Sequence, residues 1–268
     1  MRRFLVLALA IAAVAAGGAH ADGVLTGPGL DTGWQGVEAR NGQVRYVALP
    51  GARETIVSAI RVRDGRVIRW GALEGLFGLP LVALDGSKGG LSRDGRALVL
   101  GSFDLSRFAV VSTRDLSLRR MVVLPGTWSF DAVSPDASTL YLVEYLGTGP
   151  AARYRVRVYD LRAGRLLQGA IVDRLEKEAI MRGRPVTRAT STDGRWAYTL
   201  YARPKAESFV HALDTVRREA FCVDLPLELL LRRQLTLRLK LSDGSLAVLR
   251  GRETLARINT ATFAVRRS

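Results

Sequence analysis

The chain of 268 residues holds one cysteine, Cys222, and two histidines, His20 and His211, which bounds its chemistry before any fold is considered. A zinc site draws on clustered Cys and His, and a hydrolytic triad needs a histidine beside its nucleophile. His20 closes an N-terminal apolar stretch, so His211 alone remains, next to Ala212 in a strand-like run. There is no Gly-x-Ser-x-Gly elbow, no glycine loop that would cradle a phosphate and no nucleic-acid module. Cys222 stands between Phe221 and Val223, the setting of a buried small hydrophobe rather than a reactive thiol. Both residues are expected to be structural. No catalytic residue and no metal ligand is assigned, and an all-oxygen Ca²⁺ site stays open because loop carboxylates and carbonyls suffice for it.

The elements that must position any site come from a repeated turn. Leu91-Ser92-Arg93-Asp94-Gly95 runs into Ala97-Leu98-Val99-Leu100, and near-copies follow at Val133-Ser134-Pro135-Asp136-Ala137 and Thr190-Ser191-Thr192-Asp193-Gly194. A copy one residue shorter is Leu241-Ser242-Asp243-Gly244, and a fainter one is Glu38-Ala39-Arg40-Asn41-Gly42. Asp or Asn bonding the backbone two residues on, with Gly accepting positive φ, makes a tight strand-to-strand turn. Between copies the pattern predicts four short strands, a to d; in the third repeat Tyr154, Val156 and Val158 alternate with Arg153, Arg155 and Arg157. The unit recurs roughly every 50 residues, the size of a four-stranded propeller blade. The expected fold is all-β, a single propeller of about five blades at 34–72, 79–125, 127–172, 186–224 and 233–268. A β-sandwich is the alternative.

Two insertions break the rhythm. The segment 173–183 is expected to be a short helix with Asp173 as N-cap and Glu178 paired with Arg182. The segment 225–234, with Leu227, Leu229, Leu230 and Leu231, is too apolar to lie exposed and should pack on a blade edge.

The unit resembles the YVTN-type β-propeller repeat of exported bacterial proteins, part of the WD-like superfamily. Ser134-Pro135-Asp136 leads into Tyr141-Leu142-Val143 and later Tyr159-Asp160-Leu161, while His211-Ala212-Leu213-Asp214-Thr215 and Arg257-Ile258-Asn259-Thr260 echo the strand-end element. Counting four positions past each anchor gives Tyr46, Val99, Tyr141, Tyr198 and Val248. The Asn that closes the family's strand motif is absent from every copy. The resemblance implies fold more than activity.

By analogy with that architecture, ligands bind near the axis on the rim opposite the anchor turns. Trp128, Phe130, Asp131 and Arg188 at the starts of two inner strands are the ligand-binding candidates, with Glu144, Glu207 and Glu253 near neighbouring loops. The anchor acids Asp94, Asp136, Asp193 and Asp243 are turn residues. Two functions compete. One is a non-catalytic extracytoplasmic binding or scaffold protein, contacting an anionic envelope polymer or another protein. The other is a secreted hydrolase or lactonase-like enzyme using rim carboxylates such as Asp131, with Ca²⁺ as its cofactor; otherwise no cofactor is expected.

Arg2 and Arg3, an apolar core from Phe4 to Ala16 and the small residues Ala19-His20-Ala21 predict a signal peptide over 1–21, cleaved before Asp22, with 22–268 as one domain. The apolar core falls short of the roughly 20 residues of a spanning helix. Export by the general or the twin-arginine route would place the chain in the periplasm, in the cell envelope or outside the cell, as a monomer. One cysteine leaves no intramolecular disulfide, so the core must carry stability. Basic residues number 40 against 25 acidic ones, a net charge of +15 that drops to +13 without Arg2 and Arg3. Their recurrence on outer strands suits protection of unpaired edges, and their excess suits an anionic surface.

Overall fold

The anchor turns form as their chemistry dictates. Ser92 Oγ donates to Asp94 Oδ1 (2.6 Å), and the same oxygen accepts the N–H of Arg96 (2.9 Å). Ser134 with Asp136 and Ser138 repeats this at 2.8 and 3.1 Å, and Ser191 with Asp193 and Arg195 at 2.5 and 3.0 Å. Each serine hydroxyl also accepts the first N–H of the following strand, from Ala97, Thr139 and Trp196. The turn closes on a left-handed residue: Gly95 (φ 70°), Gly194 (φ 76°) and, without glycine, Ala137 (φ 55°).

The computed structural model describes residues 29–147, 153–203, 206–226, 233 and 236–267. The expected leader lies outside them, as does most of 225–234, of which Leu225 is fully buried. β1 (Leu30–Asp31) precedes five antiparallel blades. Blade 1 is β2 (Val37–Glu38), β3 (Val44–Pro50), β4 (Glu54–Arg61) and β5 (Val67–Glu74). Blade 2 is β6 (Phe77–Pro80), β7 (Ala97–Ser102), β8 (Arg107–Ser112) and β9 (Leu118–Val123). Blade 3 is β10 (Thr127–Val133), β11 (Thr139–Tyr145), β12 (Tyr154–Asp160) and β13 (Arg165–Leu166). Blade 4 is β14 (Arg184–Thr190), β15 (Trp196–Ala202), β16 (Phe209–Asp214) and β17 (Glu219–Asp224). Blade 5 is β18 (Leu237–Ser242), β19 (Ser245–Arg250), β20 (Glu253–Asn259) and β21 (Val265–Arg267). Five separate sheets, each in chain order, make a β-propeller and not a two-sheet sandwich.

Every blade turns from its third to its fourth strand in the same way. An N–H bonds back to the carbonyl four residues earlier, from Gly65, Leu116, Gly164, Arg218 and Phe263, and each of these residues has φ between 58° and 69°. In blades 3, 4 and 5 the strand-end Asp160, Asp214 and Asn259 cap that turn by accepting two backbone N–H groups each.

Apolar seams fill the boundaries between consecutive blades. Tyr46, Ala59, Leu98 and Leu100 join blades 1 and 2; Val99, Val110, Phe130 and Leu142 join blades 2 and 3; Tyr141, Val158, Ala197 and Leu213 join blades 3 and 4; Tyr198, Ala212, Val248 and Ile258 join blades 4 and 5. No apolar cluster among the described residues joins blade 5 to blade 1.

Segment 173–183 is not a helix. Lys177 adopts φ 59° after one turn closed by its N–H on the Asp173 carbonyl (2.8 Å), a conformation that halts a right-handed helix. Beyond it Met181 and Tyr154 exchange both backbone hydrogen bonds (2.8 and 3.1 Å), extending the outer edge of blade 3 past the short β13. Asp173 is a cap of another kind. Its carboxylate accepts the N–H of Leu175 and of Cys222 (3.0 Å each), and Arg174 N–H bonds the Ala220 carbonyl. The insertion therefore covers the outer edge of blade 4, a strand edge that would otherwise be open to pairing.

Candidate functional site

On the rim opposite the anchor turns the axis holds chain; on the anchor side the inner turns of blades 1 to 4 surround a hollow of about 950 Å³. β1 pairs with β6 on its inner side, Leu30 opposite Pro80 and Asp31 opposite Leu79. The loop 81–88 crosses to blade 4, where Leu84 and Asp85 donate to the carbonyls of Pro185 (2.9 Å) and Val186 (3.1 Å). Trp128 and Phe130 line a crevice of about 30 Å³ here, space for one water. Both rings are core residues of the blade 2–blade 3 seam, and the Trp128 indole N–H is spent on the Pro125 carbonyl (2.9 Å). Neither ring faces the other two candidates.

Asp131 and Arg188 do meet. Asp131 is the extra residue of a β-bulge between Phe130 and Ala132, which turns its carboxylate across the seam toward β14. The Arg188 guanidinium donates to that carboxylate, to the Asp131 carbonyl (2.6 Å) and to Thr199 Oγ1 (2.9 Å). Both side chains are almost wholly buried, at 8% and 2% exposure. The pair is thus an internal brace, engaging the guanidinium and Asp131 Oδ1.

Around the pair runs a polar row. Arg188, Thr199, His211 and Cys222 are successive cross-strand partners on one face of blade 4. Tyr145, Tyr154 and Tyr201 lean on the row from both blades, and the Tyr201 ring meets the His211 ring edge-on at 6.4 Å. Burial pushes the Tyr145 phenol up to about 12, and drives Tyr154 and Tyr201 well above their ordinary value. Burial also lowers His211, keeping the ring neutral. Asp131 Oδ2, Tyr154 OH and His211 Nε2 are buried without a hydrogen-bond partner. At the outer end of the row a hollow of about 470 Å³ opens beneath the insertion, lined by acids (Asp173, Glu176, Glu178, Asp224) and by Arg153, Arg182 and Arg203.

The other acids lie apart from this seam's ion pair. Glu144 is held by Arg155 (2.7 Å) and Arg157 (2.8 Å), so these two arginines are not free cations. Glu253 pairs with Arg250, and the Glu207 carbonyl accepts from Arg203. Among the described residues no three His, Cys, Asp or Glu side chains converge.

The feature that sequence reading missed is on blade 5. In blades 1 to 4 the row that packs on the next blade is apolar across its first three strands: Val37, Tyr46 and Ala59; Val99 and Val110; Ala132, Tyr141 and Val158; Ala189, Tyr198 and Ala212; on the outer strand it ends in Arg69 in blade 1, Arg120 in blade 2 and Phe221 in blade 4. In blade 5 the row facing away from blade 4 is Lys240, Ala247, Arg257 and Arg266. The shorter fourth anchor shifts the equivalence by one, so Ala247, not Val248, stands where the other blades place Tyr or Val; Val248 packs back on blade 4. All three cations are exposed, and no ion pair within the described residues engages them. Neighbouring strands lie about 5 Å apart, so the row sets positive charge across the blade at right angles to its strands. A signal was present: alternation in Leu237-Arg238-Leu239-Lys240-Leu241 announces a half-buried strand whose other face is basic.

No protein-family model matches this sequence, and no curated protein matches it significantly. Among solved structures it is similar to the dipeptidyl peptidase 4 of Porphyromonas gingivalis, at 9% identity and a TM-score of 0.51, over 86% of this chain and 38% of that one. Others are the Cps50 (Swd1) β-propeller domain of Myceliophteria thermophila (11%, TM-score 0.49, 89% of this chain and 75% of that one) and TolB from Acinetobacter baumannii (14%, 0.38, 84% and 56%). At these identities the likeness bears on fold alone, and the propeller is read from the five four-stranded sheets themselves. No helix among the described residues is long and apolar enough to cross a membrane.

Proposed function

We propose that the chain is a non-catalytic extracytoplasmic binding protein that docks an anionic polymer on the open face of blade 5. The observation that carries this reading is the row Lys240, Arg257 and Arg266, all exposed: Lys240 and Arg257 stand where the other blades place apolar side chains, and Arg266 continues the row at the outer position that Arg69 and Arg120 hold in blades 1 and 2. Three cations around a small Ala247 offer charge without the aromatic anchor that gives protein interfaces their hot spots, so an extended polyanion suits the face better than a folded protein. The YVTN-like Ser134-Pro135-Asp136 turn and the leader-like 1–21 support placement among exported repeat proteins. Against the hydrolase reading, Asp131 is 2% exposed and ion-paired with Arg188, which takes it out of reach of a rim substrate. The test is retention on a sulfated-polysaccharide resin as salt rises. Retention that persists above physiological ionic strength and weakens when Lys240, Arg257 and Arg266 become Ser supports the function, and elution at or below that strength refutes it.

A further inference from the structure

At the floor of the 470 Å³ hollow three soft or borderline donors from three separate strand segments come together. Cys222 Sγ of β17 lies 3.5 Å from His211 Nδ1 of β16 and 4.0 Å from the Met181 thioether sulfur, which the insertion lays against the outer edge of blade 3. One ion bonded to all three in a plane, with metal–sulfur bonds of about 2.3 Å and a metal–nitrogen bond of about 2.0 Å, requires sulfur–sulfur and sulfur–nitrogen separations of about 4.0 and 3.7 Å. The Cys222–Met181 separation matches that requirement and the Cys222–His211 separation lies slightly inside it, so an ion bonded to all three would set the Met181 sulfur and His211 Nδ1 about 3.7 Å apart. A thiolate, a thioether and an imidazole form a set that selects Cu(I), whereas a hard divalent ion wants carboxylates and carbonyls.

Access and charge point the same way. Cys222 and Met181 line the hollow, so an ion has a route from solvent. Asp173, 4% exposed, lines it too, with one oxygen fixed by the Cys222 N–H and Oδ2 left without a partner. A buried carboxylate oxygen beside the sulfur supplies the negative charge a cation would meet; burial and the same carboxylate also push the Cys222 thiol up, so its proton is held until a metal displaces it.

We propose that Cys222, His211 and Met181 form a trigonal site for Cu(I) at the blade 3–blade 4 seam. As the sulfur–copper bond forms, the thiol proton of Cys222 leaves to solvent and no electron is transferred, so no oxidant is needed. The site is independent of the blade 5 face.

The test titrates the purified protein with Cu(I) under anaerobic conditions against a colorimetric Cu(I) chelator. One equivalent should bind. Cys222→Ser should abolish it, and Met181→Leu, which keeps the side-chain volume, should weaken it at least tenfold. X-ray absorption of the loaded protein should show two sulfurs and one nitrogen at the metal. Met181→Leu binding as tightly as the parent, or a spectrum with a single sulfur, overturns the site, because that is what a lone accessible thiol would give. Because His211 is buried, His211→Gln is read only if its melting temperature stays near the parent's; the Met181 variant decides the question either way.

Discussion

Arg188 donates to both the carboxylate and the backbone carbonyl of Asp131, tying the inner strand of blade 4 to the bulge in the inner strand of blade 3. Truncating one partner leaves the other charge buried and unpaired. Arg188→Met should therefore destabilise the fold by about 3–5 kcal/mol. Arg188→Met with Asp131→Leu should recover much of the loss, because both charges then leave the seam. Chemical denaturation of the parent, both single variants and the double variant measures the coupling. A loss below about 1 kcal/mol for Arg188→Met would show that the seam rehydrates freely.

Ala137 occupies the left-handed position of its anchor turn, at φ 55°, where Gly95 and Gly194 stand in the equivalent turns. Ala137→Gly should raise stability by about 0.5–1 kcal/mol, since relief of strain exceeds the extra chain entropy of glycine. Gly95→Ala should move it the other way by a similar amount: a Cβ there would meet no atom within 4 Å, so the penalty is conformational. Melting temperatures of the two variants should bracket the parent. Two shifts of the same sign would contradict the account.

Asp214 links its strand end to the anchor turn of its own blade through Arg195 (2.5 Å). Burial opposes ionisation, but the Arg195 guanidinium and the N–H groups of Arg217 and Val216 outweigh it and hold the carboxyl below its usual range. A carboxyl depressed in the folded state contributes stability above its unfolded value near 3.9, and that contribution disappears as pH falls through the folded value. At pH 7 the parent should exceed Asp214→Asn by about 1–2 kcal/mol. The gap should close as pH falls below the unfolded value of about 3.9 and on through the lower folded one, as followed by denaturation at each pH. A gap that stays constant to pH 2 would mean that packing, not charge, sets it.

The five-blade plan was legible because turn chemistry is local. Ser92 with Asp94, Ser134 with Asp136 and Ser191 with Asp193 each specify their bonds within a few residues, and alternation at 154–158 fixes which face is buried. The fourth-strand turns were half visible: Gly65 and Gly164 announce positive φ, while Leu116, Arg218 and Phe263 adopt it silently because the surrounding bonds impose it. The helix expected at 173–183 failed for the complementary reason. Asp173 has the chemistry of an N-cap, but its carboxylate finds the N–H of Cys222, 49 residues away in sequence, and tertiary pairing with Tyr154 overrides local propensity. The placement of β1 and 81–88 inside the blades is likewise non-local, and so is the packing of Trp128 and Phe130 in the seam between blades 2 and 3. Asp131 and Arg188 were found as individual residues, and their burial against each other was not.

The binding account rests on position of charge rather than its amount. Affinity for a sulfated polysaccharide, measured by calorimetry across a salt series, separates the two when a blade 5 variant (Lys240→Ser, Arg257→Ser, Arg266→Ser) is set beside one of equal charge loss spread over blades 2 and 4 (Arg114→Ser, Arg119→Ser, Arg217→Ser). The account predicts that the blade 5 variant loses at least tenfold in affinity and much of the salt dependence, while the dispersed variant loses less than threefold. Equal losses from both would contradict a docking face on blade 5 and leave the basic residues as protection for the outer edges.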